Sequence, residues 1–194
     1  MRLFYNLSKK QLLEAKNELF VRYGIPALRR NNFQQSPFAA DWFGRNNLGD
    51  YTYKFCRLNS SSHLETITTH ICKDDKWVQM FLNVFEVKPS LQCLEQLQVI
   101  NGLQYNLVPN KLTSMRLRED DFKGIPLFNT VHHKLDSFYT KNGFKTSVKK
   151  LSNLIESDLN NINEFISRWH ELHTPLITNW EGETLPSDDR SKIL

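Results

Sequence analysis

Near the start of the chain apolar residues fall at helical spacing, with Leu12, Ala15, Leu19, Phe20 and Tyr23 on one face. Ser8 and Gln11 have the spacing of a capping box, and Gly24 with Pro26 closes the run. From 27 to 49 the periodicity fails. Asn, Gln and Gly are frequent there, yet Phe33, Phe38, Trp42 and Phe43 are too apolar for a free linker, which predicts a long ordered loop.

A strand rhythm takes over at Asp50. Runs at 51–58, 64–71 and 76–87, separated by Ser- and Asp-rich turn chemistry, predict an antiparallel meander. With turns of about three residues, the odd-numbered positions share one face: Tyr51, Tyr53, Phe55, Ile67, Ile71, Trp77, Phe81 and Phe85. The even face is polar on the first two strands (Thr52, Lys54, Thr66, Thr68, His70) and apolar on the third (Val78, Met80, Leu82, Val84). A strand apolar on both sides belongs inside a sheet. A second hairpin at 103–118, with strands 103–108 and 112–118, is therefore expected to pair with its free edge.

Between these sheet segments Ser90 caps a short helix over 91–100, whose Leu91, Leu94, Leu97 and Ile100 are expected to cover Val78, Met80 and Leu82. The chain then reads as helical over 128–172. Phe128, Val131, Leu135, Phe138 and Tyr139 form one amphipathic stretch, and Val148 to Leu172 a stronger one, with a break expected in 157–161. That long helix should lie along the aromatic face of the sheet. The predicted architecture is α+β, with a single domain over 1–181. Its antiparallel sheet of four to five strands (meander 51–87 plus hairpin 103–118) is packed by an N-terminal helix, the 91–100 helix and the long C-terminal helices. Residues 182–194 are expected to form a mobile polar tail.

Composition adds little and excludes several classes. With 194 residues, 40% hydrophobic and 24% charged, the chain has the make-up of an ordinary globular domain. Its 25 basic against 21 acidic residues leave a mild, dispersed +4, which disfavours a nucleic-acid binder. The N-terminal segment lacks the apolar core of a secretory signal, and no apolar run reaches the ~20 residues of a membrane helix. Cys56, Cys72 and Cys93 form no C-x-x-C pair, and their odd number argues against a disulfide framework. A cytoplasmic location is the expectation.

No motif supplies a reaction. The serine elbow, the P-loop and the dinucleotide fingerprint are absent. His170 and His173 are three apart where the H-e-x-x-h zinc helix needs four, and Glu171 points aside, so no metal or cofactor is expected. Arg116 and Arg118 alternate along a predicted strand just before Asp120 and Asp121, a pattern that suits an anion-binding polar pocket. The aromatic strand face resembles a base-stacking platform, but no ribonucleoprotein signature accompanies it, and the amphipathic helices need a surface to cover.

In size and layout the chain resembles small bacterial α+β proteins that include toxin-neutralising immunity proteins, an analogy of architecture that carries no residue over. The leading expectation is a non-enzymatic binding protein that acts through a protein partner, inhibitor-like. Its partner-binding candidates are Phe33, Phe38, Trp42, Phe43 and Arg45 in the aromatic loop, with Lys54 and His70 on the polar face of the first hairpin. The alternative is an enzyme or small-ligand binder with its site at Arg116, Arg118, Asp120 and Asp121.

Overall fold

The computed structural model describes residues 5, 7–118, 132–136 and 140–186. Helix α1 (Lys9–Leu19) starts at Ser8, whose hydroxyl accepts from the Gln11 N–H while the Gln11 side chain accepts from the Ser8 N–H, the predicted capping box. The chain does not stop at Gly24. It continues through a π-turn at Phe20–Gly24 into α2 (Ile25–Arg30), with Pro26 in the first turn. A Cβ at Gly24 would stand 2.7 Å from the Phe20 ring and 3.2 Å from Ile155, so glycine here admits close packing rather than ending the helix.

The sheet is built on the predicted meander. Strands β1 (Gln34–Gln35) and β2 (Phe43–Arg45) both pair with β3 (Tyr51–Ser60), β3 pairs with β4 (His63–Ile71), and β4 with β5 (Val78–Val87), all antiparallel. The other edge of β5 does gain partners, in two short pieces. These are β6 (Met115–Arg116), antiparallel, and β7 (Leu176–Thr178), parallel. The class is α+β, as the alternation of strand and helix rhythm predicts.

Register departs from expectation at the second turn. Phe55 faces Ile67 across β3 and β4, but Ile67 faces Leu82 and Thr68 faces Phe81 across β4 and β5. The connection occupies everything from Cys72 to Trp77, longer than a three-residue turn, and its length reverses the parity of β5. Phe81 and Phe85 therefore stand opposite Phe55 and Ile67, not beside them.

Helices α3 (Lys141–Asn160) and α4 (Ile162–Leu172) cover the face that carries Phe55, Ile67, Val78, Met80, Leu82 and Val84, joined there by Leu13, Phe20 and Leu28. They meet at Asn161, inside the predicted break, and α3 starts early because the Thr140 hydroxyl accepts from the Gly143 N–H. The opposite face holds a smaller cluster of Phe38, Cys56, Leu64, Phe85, Leu91, Leu94, Leu97 and Tyr105. Of the expected 91–100 helix only a 3₁₀ turn at Leu94–Leu97 forms, and it covers Leu64 and Phe85 rather than Val78 and Met80.

The predicted strands at 103–108 and 112–118 are replaced by 3₁₀ turns at Leu103–Asn106 and Asn110–Thr113, leaving only β6 as strand. Local closure outcompetes the ladder. Tyr105 N–H donates to Gly102 O and Leu112 N–H to Pro109 O, while the Asn110 side chain donates to Gln104 O and Gly182 O. That last contact anchors the beginning of the expected tail, where Leu185 N–H also donates to Ile177 O; residues 187–194 lie outside the described residues. Within the helix expected over 128–139, residues 132–136 are non-helical instead, bridged to the start of β5 by Leu135 N–H bonded to Lys76 O and Val78 N–H to His133 O; the remainder lies outside the described residues. Among the described residues no helix is long and apolar enough to cross a membrane.

Candidate functional site

The parity reversal gives the outer face of the sheet a mixed character. β3 and β4 contribute Lys54, Thr66, Thr68 and His70, while β5 contributes Gln79, Phe81, Asn83 and Phe85. The 3₁₀ turns fold over this face and add Tyr105, Asn106, Asn110, Lys111 and Ser114, enclosing a cavity of about 420 Å³. The polar face of the first hairpin, on which Lys54 and His70 are the expected partner-binding residues, is the wall of a pocket.

Most of its polar groups are already committed. Lys54, 5% exposed, donates from Nζ to Asp41 Oδ1 at 2.9 Å and to Asn106 Oδ1 at 3.0 Å, which ties the aromatic loop to the 3₁₀ turns through one buried cation. The Thr66 hydroxyl donates to Asn83 O, and the Asn83 amide spends both ends, on Asn110 O and on the Val84 N–H. The Tyr105 hydroxyl donates to Asn179 O at 3.0 Å, and its edge-to-face contact with Phe85 (4.9 Å between centroids) sets the apolar floor. Burial pushes the Tyr105 phenol up, so it stays protonated.

His70 packs edge-on to Phe81 and lies 3.4 Å by Nδ1 from the Thr52 hydroxyl. Burial lowers its imidazole below the ordinary value, and the ammonium groups of Lys54 and Lys111 lower it further, so it is neutral at pH 7. Cys56, fully buried beneath the aromatic loop, has its thiol pushed up to about 12 by burial and is no nucleophile.

The aromatic loop divides between core and surface. Phe33 is buried beneath the Arg57 guanidinium (4.6 Å to its centroid), and Phe38 packs on Tyr105 at 4.9 Å. Phe43 is half-buried, edge-on to Tyr53 and Phe55. Trp42 is 43% exposed, and Arg45 is exposed with its guanidinium over Tyr51.

Arg116 and Arg118 are brought to different neighbours. The Arg118 guanidinium binds both oxygens of Asp158, and His133 Nε2 lies 2.7 Å from Asp158 Oδ2; Arg116 stacks over Trp77 at 5.2 Å. Burial opposes ionisation of Asp158, but the hydrogen bonds from Arg118 and His133 outweigh it and hold the carboxyl below its usual range. Asp120 and Asp121 lie outside the described residues. His170 and His173 pack around Trp169, and no group of three or more metal-ligating side chains occurs among the described residues.

Sequence reasoning placed Lys54 and His70 in a site and missed Phe81, Asn83, Phe85, Tyr105, Asn106 and Lys111. One signal was available: the odd positions of β5 alternate amide and aromatic (Gln79, Phe81, Asn83, Phe85), a mixture unsuited to a dry core face. Compared with known proteins, the chain matches no family model, no curated protein and no solved structure.

Proposed function

We propose that this is a non-enzymatic binding protein that recognises a protein partner through the 99–114 segment and the pocket that it walls. One observation carries the reading. Leu103, Leu107, Val108 and Leu112 are 51–73% exposed on the same turns whose inward residues, Tyr105, Asn106 and Asn110, form the pocket wall. Large aliphatics held in water on a short stretch of chain lose roughly 25 cal/mol for every Å² left uncovered. Exposed aliphatics on the turns that wall a pocket suit an interface in which one anchor side chain enters and apolar neighbours exclude water.

The pocket chemistry favours binding over reaction. His70 has a threonine hydroxyl at Nδ1 where a general base would have a carboxylate, and among the described residues no acidic side chain lines the cavity. The three cysteines are unpaired, which suits the reducing cytoplasm. Action as an inhibitor of the bound partner, in the manner of an immunity protein, belongs to the same proposal.

The test is affinity capture from cells that express the protein, run in parallel for the wild type, a Leu107→Ser/Leu112→Ser variant, and Val21→Ser, a substitution of an exposed apolar residue on the N-terminal helix. A protein retained by wild type and Val21→Ser but lost by the double variant is the expected result. Capture that is equal for all three, or nothing captured, overturns the reading.

A further inference from the structure

We infer that the pocket between the outer sheet face and the 3₁₀ turns is an anion site, which takes a carboxylate carried on an apolar or aromatic stem. The inference rests on the binding reading above and names the chemistry of the anchoring group.

Charge comes first. Among the described residues that line the cavity there is no Asp or Glu, and the two cations are Lys54 and Lys111. Lys54 is balanced by buried Asp41, with 6% of each side chain exposed. The Lys111 ammonium has no ion-pair or hydrogen-bond partner among the described residues, which therefore leave the pocket mouth one net positive charge.

The hydrogen-bonding groups left over are mainly donors, and their direction is set by the bonds already made. Because Lys54 donates to Asn106 Oδ1, the available end of that amide is its NH₂. The Thr52 hydroxyl accepts from Asn46 Nδ2 at 3.3 Å and lies 3.4 Å from His70 Nδ1; with its proton given to Nδ1, the imidazole carries its hydrogen on Nε2. The Thr68 and Ser114 hydroxyls have no partner among the described residues and are free to donate. Gln79 gives one hydrogen of its NH₂ to Asp75 and keeps its Oε1 as an acceptor, while the hydroxyls can serve either way. An amide NH₂, the His70 imidazole in its Nε2–H form, two hydroxyls and an ammonium can all donate to a ligand group that only accepts, and an ionised carboxylate is such a group.

The remainder of the cavity is apolar. Phe81, Phe85 and Tyr105 present ring surface, because the Tyr105 hydroxyl is turned away to Asn179. A volume of about 420 Å³ lies toward the small end of ligand pockets and accepts one ring or one branched stem with its acid group.

Benzoate is the probe, with neutral benzamide and cationic benzamidine as comparators, titrated into the full chain and followed by amide NMR shifts. Benzoate is expected to move the resonances of Thr68, His70, Asn106 and Lys111, benzamide more weakly and benzamidine not at all. Lys111→Gln, a change at an exposed side chain, should weaken benzoate about tenfold, the loss typical of one charge-assisted contact. No shift at tens of millimolar, equal binding of benzamidine, or a Lys111→Gln variant with unchanged affinity overturns the inference. The two proposals are read by separate measurements, benzoate titration of the wild-type chain for the anion site and capture by Leu107→Ser/Leu112→Ser for the protein partner. Failure of benzoate with fringe-dependent capture intact sinks the anion site alone; benzoate binding with fringe-independent capture sinks the protein partner alone.

Discussion

Ile67 stands directly across from Leu82 on the helix-covered face of the sheet, and both side chains are fully buried. Their sequence neighbours Thr68 and Phe81, also direct partners, therefore occupy the pocket face. Leu82→Ala opens a hole under α3 and α4 and should cost about 2–5 kcal/mol in urea unfolding. Thr68→Ala removes a half-buried hydroxyl from the cavity wall and should stay within about 1 kcal/mol. Equal costs at the two sites would mean that the parity of β5 is wrong.

That parity explains how far the sequence could be read. Alternation placed β3, β4 and β5 within a residue or two, and helical spacing found α1, α4 and the break at Asn161. Neither rhythm encodes the length of the connection before Val78, where Asp75 and Trp77 are bound into the turn by local hydrogen bonds. One residue more or less in such a turn exchanges the two faces of every following strand. The pocket was legible on its β3 and β4 wall, as Lys54 and His70. Its other wall was hidden, because Asn106 and Asn110 signal a turn but not which distant carbonyls their amides will find.

Lys54 and Asp41 form a buried ion pair that also holds Asn106. Asp41→Ala strands the ammonium without its counter-charge, which typically costs about 3–5 kcal/mol. A Lys54→Met/Asp41→Ala double variant removes both charges and should recover most of that loss. Chemical denaturation of the three proteins measures the coupling, and a double variant no more stable than Asp41→Ala would show that the charge pair is not the source of the loss.

Gly182 has φ +91, and a Cβ there would lie 2.6 Å from the Tyr105 backbone nitrogen. Gly44 also has positive φ, +129, but nothing lies within 4 Å of its Cβ position. Both alanine substitutions meet backbone strain of about 1–2 kcal/mol; only Gly182→Ala must also push the pocket wall outward. Thermal unfolding should therefore drop further for Gly182→Ala, accompanied by shifts in the Tyr105 and Asn110 resonances that Gly44→Ala does not produce.

The His133–Asp158–Arg118 cluster makes stability depend on acid in a definite direction. Burial lowers the His133 imidazole from its ordinary 6.5, and although Asp158 raises it, burial wins with help from Arg118 and Arg116. The folded chain thus holds fewer protons at this site than the unfolded chain once the pH drops below 6.5, and stability must fall with pH. The slope approaches about 1.4 kcal/mol per pH unit for each such group until the folded imidazole itself protonates. Asp158, depressed in the fold, adds a second decline below its ordinary 3.8. His70 is lowered in the same sense by burial, Lys54 and Lys111, so His133→Gln should remove part of the slope below pH 6.5 and leave the His70 share. Urea midpoints for wild type and His133→Gln, measured from pH 7.5 downward, test this. Parallel curves for the two proteins would mean that His133 is as easily protonated in the fold as in the open chain.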